Sequence, residues 1–245
     1  MSKVCIIIPF YNEAERIERD AFAHFLQKHA NYSLMLVNDG SSDTTQSVLE
    51  EMQEQFPNQI QHYSMKQNSG KAEAVRQGVL NALNWQGFDI LGYMDADLAT
   101  PLEEAPYLIS QFSDSSYQLI IGSRVKLFGW NIQRSLKRHY FGRIFATYVS
   151  NLFNLEIYDT QCGAKFFRSE IAGDLFEFEF VSRWFFDIEL FLRLRKEMGS
   201  ELFSKSFKEV PLRQWTEKGD SKLQLGDFLN TPFELLRIKR HYKTI

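Results

Sequence analysis

Leu34-Met35-Leu36-Val37-Asn38-Asp39-Gly40-Ser41-Ser42-Asp43 (residues 34–43) passes from an apolar run directly into a polar turn. The apolar part reads as a strand covered on both faces, and the polar part as a turn in which Gly40 can take positive φ. The same arrangement occurs twice more. Val4-Cys5-Ile6-Ile7-Ile8 leads into Pro9-Phe10-Tyr11-Asn12-Glu13, and Leu91-Gly92-Tyr93-Met94 leads into Asp95-Ala96-Asp97. Between these strands the pattern predicts helices over about 13–29 (Ile17, Phe22 and Phe25 inward), 44–55 and 70–83, the last with apolar or small residues at 72, 75, 79, 80 and 83. A further strand is predicted near 60–64, a helix opened by Thr100-Pro101, and a strand over 117–121. Strands alternating with helices define an α/β fold with a mainly parallel central sheet and helices on both faces.

The second half is less regular. A helical segment is predicted over 133–153, a turn at 159–163, a short strand over 164–168, a helix over 185–198, an extended stretch over 210–215 and a basic, helical C-terminal tail. With no repeat or linker, residues 1–245 read as one domain. Its first half, 1–123, carries 16 acids and 7 bases, and 124–245 carries 15 acids and 21 bases. The overall charge of −3 therefore hides an acidic half and a basic half. At 44% hydrophobic and 24% charged residues, with 13 Gly and 6 Pro, the composition excludes collagen-like, low-complexity and wholly disordered chains. Cys5 and Cys162 form neither a disulfide framework nor metal-ligand spacing. The sequence predicts no secretory signal and no transmembrane helix, so a cytoplasmic protein with reduced thiols is expected.

In open parallel sheets, ligands bind outside the carboxyl ends of the strands. The three polar clusters fall at such ends, so the fold should gather them along one edge. Asp95 and Asp97, one residue apart, could share Mg²⁺ or Mn²⁺ and so reach a diphosphate; the alternative is a solvated loop or helix N-cap. Asp39 could accept a hydrogen bond from a nucleobase or cap the next helix, and capping is the preferred role for Asp43. Asn68-Ser69-Gly70-Lys71 is like a phosphate loop at a helix start but lacks the Walker spacing, which disfavours a P-loop NTPase.

Taken in order, residues 8–13, 37–43, 68–71 and 95–97 resemble the family 2 glycosyltransferases of GT-A fold. Asp159-Thr160-Gln161-Cys162-Gly163, Arg183-Trp184-Phe185-Phe186-Asp187-Ile188-Glu189 and Gly219-Asp220-Ser221-Lys222 resemble the dolichyl-phosphate β-glucosyltransferase branch. The likeness spans about residues 4–225. It implies that Pro9, Tyr11, Glu13 and Asp39 hold the nucleoside with Lys71 nearby, and that Asp95 and Asp97 bind ribose and a metal-bound diphosphate, Asp97 being the main ligand. It further implies that Arg124 faces the acceptor or diphosphate, Gln161 lines the sugar site, Arg183, Trp184 and Asp187 border donor sugar and acceptor, and Ser221 and Lys222 contact phosphate. The eukaryotic dolichol enzymes carry an N-terminal membrane anchor; residues 1–245 predict none, which leaves the acceptor open.

The implied reaction transfers a hexose, with glucose from UDP-glucose favoured, to a polyprenyl phosphate with inversion. Asp97 with its metal and Lys222 would neutralise the leaving group, and Arg183 would act beside them. A phosphate acceptor, with a second pKa near ~6, needs little deprotonation. Transfer to a hydroxyl of a glycan or lipid intermediate would need a base, for which Asp187 is the candidate. A non-catalytic nucleotide-sugar or lipid-binding protein is the third reading, disfavoured by the intact Asp95/Asp97 pair and Arg183. The aromatics Phe185 and Phe186 read as core. Residues 124–150 hold six bases and no acid, and Leu136, Tyr140, Ile144, Tyr148 and Leu152 recur every four residues. Such a helix could lie in an anionic membrane interface, giving peripheral attachment at the cytoplasmic face, or could be a core-facing helix with a solvated basic side. A nucleic-acid partner is disfavoured, since it leaves the acidic strand ends unexplained.

Overall fold

The computed structural model describes residues 2–85, 87–114, 116–133, 136–218 and 225–242. In chain order its strands are β1 (Val4–Phe10), β2 (Tyr32–Asn38), β3 (Ile60–Ser64), β4 (Ile90–Tyr93), β5 (Leu119–Ser123), β6 (Asn131–Gln133), β7 (Lys165–Arg168), β8 (Phe207–Pro211) and β9 (Gln214–Thr216). The helices are α1 (Arg19–Lys28), α2 (Thr45–Gln55), α3 (Lys71–Trp85), α4 (Glu104–Ser110), α5 (Leu136–Phe153), α6 (Ser169–Phe176), α7 (Phe186–Ser206) and α8 (Leu225–His241). The main sheet runs β3-β2-β1-β4-β7-β5-β8, and β6 pairs with β9 in a small second sheet. The main sheet is parallel throughout except for β7, which is antiparallel to both β4 and β5.

Alternation along the strands builds two cores. Cys5 and Ile7 of β1, with Met35, Val37, Leu91 and Tyr93, face α3, α6 and α7. Val4, Ile6 and Ile8, with Leu34, Leu36 and Ile90, face α1, α2 and α4. Along α3, Ala72, Val75 and Val79 are buried as expected, but Leu80 is half-buried and Leu83 exposed. Gly78 rather than Leu80 meets the sheet, because a Cβ there would run into Ile7 and Val37.

Several element starts are displaced from the sequence expectation. Residues 13–18 are non-helical, with a turn at 14–16, rather than the first turns of α1, because the amides that lead into them are engaged by the segment that opens α2: Ser41 Oγ, Thr45 Oγ1 and Asp43 Oδ2 accept from the amides of Asn12, Glu13 and Ala14 at 3.0, 3.0 and 3.2 Å. Helix α4 begins three residues after Pro101, and β5 runs over 119–123. The helix expected over 185–198 does break there, at Gly199 with φ 77°, but about two further turns carry it to Ser206.

Strand β4 carries a glycine because β7 lies tightly against it. A Cβ on Gly92 would overlap the Phe166 ring and stand 2.6 Å from the Lys165 carbonyl oxygen. Gly92→Ala should therefore lower stability by about 1–3 kcal/mol through overpacking, measured by urea unfolding. An unchanged unfolding midpoint would show that β4 and β7 can part.

Candidate active site

Strand β1 has β2 on one side and β4 on the other, and the chain order reverses at that point. Its pairing with β4 stops at Ile7 opposite Tyr93, whereas its pairing with β2 continues to Phe10 opposite Asn38. Beyond Ile7 the sheet opens into the crevice expected at a topological switch point. Pro9, which cannot donate a hydrogen bond, lies on this unpaired side, and Tyr11 is exposed just beyond it.

Asp39 follows β2 and is nearly fully buried. Its Oδ1 accepts from the amide of Ser69 at 2.7 Å, and its Oδ2 from the amide of Gly70 at 2.9 Å and from Asn68 Nδ2 at 3.0 Å. Burial raises its pKa despite the opposing amides and Arg183. A carboxylate offers about four acceptor sites, so Asp39 staples the Asn68–Gly70 loop and keeps capacity for about one more donor. Gly40 takes φ 64° and lies so close to the Gln67 backbone that a Cβ would collide with it. Asp43 caps as expected, accepting from the Thr45 amide at 2.9 Å.

The two acids after β4 differ in setting. Asp95 Oδ1 is 2.5 Å from Lys71 Nζ, and a Cβ on Gly163 would overlap the Asp95 carboxylate. Gly163 thus lets the turn before β7 press against Asp95. Burial alone would lower the pKa of Lys71, but Asp95, Asp187 and Asp97 outweigh it and hold the ammonium above its usual value. Asp97 accepts from the Ala99 amide at 2.9 Å. Although its side chain reaches solvent, partial desolvation, followed by Asp95, raises its carboxyl pKa, and Glu13 adds to the same field. Leu98, directly after Asp97, has φ 51°, an unusual backbone for leucine and a mark of a site held against strain.

Because β7 runs antiparallel, its amino end reaches the same edge as the carboxyl ends of β4 and β5. This brings residues 159–163 into the site. Gln161 Nε2 and Thr160 Oγ1 are buried there without a hydrogen-bond partner among the described residues. Arg124, at the end of β5, does not present a free guanidinium to an acceptor. Its Nε and Nη2 each donate to Asp159 at 2.7 Å, forming a bidentate pair. Burial acts against both charges, but each partner outweighs it: the Arg124 pKa is raised and that of Asp159 held down at about 2.

Asp187 is likewise paired. It is buried, and its Oδ1 accepts from Lys165 Nζ at 2.5 Å and from the Tyr93 hydroxyl. Lys165 Nζ also donates to the Cys162 carbonyl at 2.7 Å. An ammonium and a phenol thus share one oxygen of this carboxylate. Arg183 reaches the site from the other side: its Nε donates to the Ser69 carbonyl at 2.8 Å and its Nη2 to the Asn68 carbonyl at 3.2 Å. Trp184 beside it is part-exposed, whereas Phe186 is buried and Phe185 packs on the core, as expected. Ser221 and Lys222, with Gly219 and Asp220, lie outside the described residues. The residue that sequence reasoning missed is Lys165. Its signal was a lysine inside the apolar run Ala164-Lys165-Phe166-Phe167, where an unpaired ammonium would be costly.

The model of glycosyl transferase family 2 matches residues 5–176, and the chain belongs to that family. It is 32% identical to the dolichyl-phosphate beta-glucosyltransferase of Saccharomyces cerevisiae over 97% of this chain and 74% of that protein. It is 30% identical to the human protein of that name over 99% of this chain and 76% of that protein. Among solved structures it is similar to glucosyl-3-phosphoglycerate synthase of Mycobacterium tuberculosis in complex with Mn²⁺, UDP and glucosyl-3-phosphoglycerate. There the TM-score is 0.69 and the identity 16%, over 100% of this chain and 81% of that one. The shared architecture is the GT-A fold, and the chain is a glycosyltransferase.

The Arg124–Asp159 pair sets a pH dependence. Asp159 has a folded pKa of about 2 against an ordinary 3.8. Its contribution is therefore complete above pH ~4 and lost as pH falls toward 2, at about 2 kcal/mol in all. Asp159→Asn should remove that part of the acid sensitivity in unfolding measured between pH 5 and 2. A variant with the same pH slope as the parent would refute the pairing.

Proposed function

We propose that this glycosyltransferase moves glucose from UDP-glucose to dolichyl phosphate or a similar polyprenyl phosphate, with inversion at the anomeric carbon. The observation that carries the choice of acceptor is the state of Asp187. A hydroxyl acceptor needs a base, and the carboxylate expected to supply one is engaged by Lys165 and Tyr93. A phosphate monoester is largely dianionic at pH 7 and needs none. The relatives named as dolichyl-phosphate beta-glucosyltransferases support the same acceptor and sugar.

The nucleoside would lie in the crevice beyond Ile7, against Pro9, Tyr11 and Glu13, with the remaining acceptor capacity of Asp39 turned to the base. Asp97 and Asp95 supply hard carboxylate oxygens that suit Mg²⁺ or Mn²⁺, and the Asp97 pKa is raised by desolvation and then by Asp95, a like charge that such a cation would relieve. Among the described residues no third His, Cys, Asp or Glu joins them in a metal-binding group, so the diphosphate and water would complete the shell. When bound, the cation would offset charge on the departing diphosphate. Solved structures of the mycobacterial synthase with Mn²⁺ or Mg²⁺ and UDP support this use of the fold. Lys71, held by Asp95, offsets part of the acids' charge. The Gln161 amide nitrogen, without a partner among the described residues, would donate to a sugar hydroxyl, and Trp184 and Arg183 would border donor and acceptor. Ser221 and Lys222 remain candidates for phosphate contact. Arg124 would act through its hold on the 159–163 turn rather than by touching the acceptor.

Incubation with Mn²⁺, UDP-glucose and dolichyl phosphate should release UDP, and Asp97→Asn should cut the rate at least about a hundredfold, as loss of a key electrostatic group does. Full activity in the variant would remove Asp97 from the site. Activity on a sugar hydroxyl but not on the phosphate would replace the acceptor.

The acceptor's lipid tail suggests a peripheral membrane contact. No helix among the described residues is long and apolar enough to cross a membrane. In α5 the core face is Ala146, Val149 and Phe153, whereas Tyr140, Ile144 and Tyr148 are exposed, so the four-residue stripe is not core-facing over these residues. Leu152 at its end is half-buried and packs on the core. Arg143 lies 3.6 Å from the centroid of Tyr158. Arg134 and the side chains of Leu136, Lys137 and Arg138 lie outside what is described. Replacing Tyr140, Ile144 and Tyr148 by Ser should reduce co-sedimentation with phosphatidylserine vesicles at least about fivefold without altering the unfolding midpoint. Undiminished binding would exclude this face.

A further inference from the structure

Residues 177–185 connect α6 to α7 without helix or strand, yet their backbone is held almost throughout by charged and polar side chains. Glu189, fully buried on α7, accepts from the amides of Val181 at 3.0 Å and Ser182 at 2.8 Å. Arg193, one turn on, donates to the carbonyls of Leu175, Phe178 and Glu179, each at 2.8 Å, and lies 4.2 Å from the centroid of Phe180. The end of the chain closes this arrangement. The Tyr242 hydroxyl donates to Glu189 at 3.0 Å and accepts from Arg193 Nε at 3.0 Å. Glu234 on α8 accepts from the Ser182 hydroxyl at 2.6 Å, and that hydroxyl accepts from the amide of Phe185 at 3.0 Å.

The held segment delivers Arg183 and Trp184. Arg183 in turn grips the carbonyls of Asn68 and Ser69, the loop whose amides hold Asp39. A continuous line of contacts thus runs from the C-terminal helix to the nucleoside end of the crevice, with no reacting group in it. A loop of this length without ladder partners has many accessible conformations, and ordering it by buried charges is costly unless one conformation is required.

We propose that Glu189, Arg193, Glu234 and Tyr242 are positioning residues that fix Arg183 and Trp184 at the donor edge, making the C-terminal helix part of the active-site framework. The catalytic half of this proposal rests on the reading of Arg183 as a donor-site residue; the structural half does not.

The test uses the full chain with Tyr242→Phe and Glu234→Ala, each alone and in an Arg183→Ala background, and Glu234→Gln as the conservative replacement. Amide exchange over 177–185 should rise about tenfold in Glu234→Ala, the scale of one lost hydrogen bond, and at least as much in Tyr242→Phe, which loses two, while β1 and β2 stay protected. Glu234→Gln, which keeps an acceptor for Ser182, should restore protection. With UDP-glucose, KM should rise more than kcat falls, and in the Arg183→Ala background either change should cost less than a further twofold in kcat/KM. Unchanged exchange over 177–185, or a rise shared equally by β1 and β2, would overturn the proposal. So would losses that multiply in the double variants. Absence of glucosyl transfer in the parent enzyme would sink the donor reading instead, because the exchange measurement needs no substrate.

Discussion

One buried ammonium ties the architecture together. Lys165 Nζ, fully enclosed on β7, bonds the Asp187 carboxylate at the start of α7 and the Cys162 carbonyl in the turn before its own strand. Tyr93 of β4, directly opposite Lys165 in the sheet, completes the group through its hydroxyl. An unpaired charge there would cost several kcal/mol, so the three segments are held to a common geometry. That geometry puts Gly163 against Asp95 and Gln161 at the crevice, and it sets the direction in which α7 leaves the site.

The reversed direction of β7 gives this ion pair its place. Were β7 parallel to β4, its amino end would lie at the far edge of the sheet, away from Asp95 and Asp97. Inserted antiparallel between β4 and β5, it adds a wall from the basic half of the chain to a crevice lined by the acidic half. The charge asymmetry therefore has a structural meaning: Asp39, Asp95 and Asp97 come from before residue 123, while Lys165 and Arg183 come from after it. In the proposed reaction the first group receives nucleotide and cation, and the second orders the surfaces around the sugar. Asp187 and Arg124 are each paired with a group of opposite charge, Lys165 and Asp159, and these pairs tie together the segments that carry the other groups.

Much of the first half was legible in the sequence because buried parallel strands read as short apolar runs, and their carboxyl ends as polar clusters. Strands β1, β2 and β4 and the gathering of Asp39, Asp95 and Asp97 follow from that pattern alone. Helix α1 starts later than its periodicity suggests because the turn after β1 spends its amides on Ser41, Asp43 and Thr45, a pairing some thirty residues away. The eight-residue α6 and the three-residue strands β6 and β9 are too short to carry a period. The direction of β7 leaves no local trace, since orientation is a property of the connection. The pairings of Asp187 and Arg124 are hidden for the same reason. Motif position puts both residues at the site, but their partners, Lys165 and Asp159, are 22 and 35 residues distant, and only the fold shows the pairing.

The most direct measurement is the anomeric configuration of the product formed from UDP-glucose, whose glucose is α-linked, and dolichyl phosphate, read from the anomeric proton coupling by NMR. Attack by the phosphate from the face opposite the diphosphate, without a covalent enzyme intermediate, predicts a β-linked glucosyl phosphate. An α-linked product, or none with this acceptor, would contradict the account.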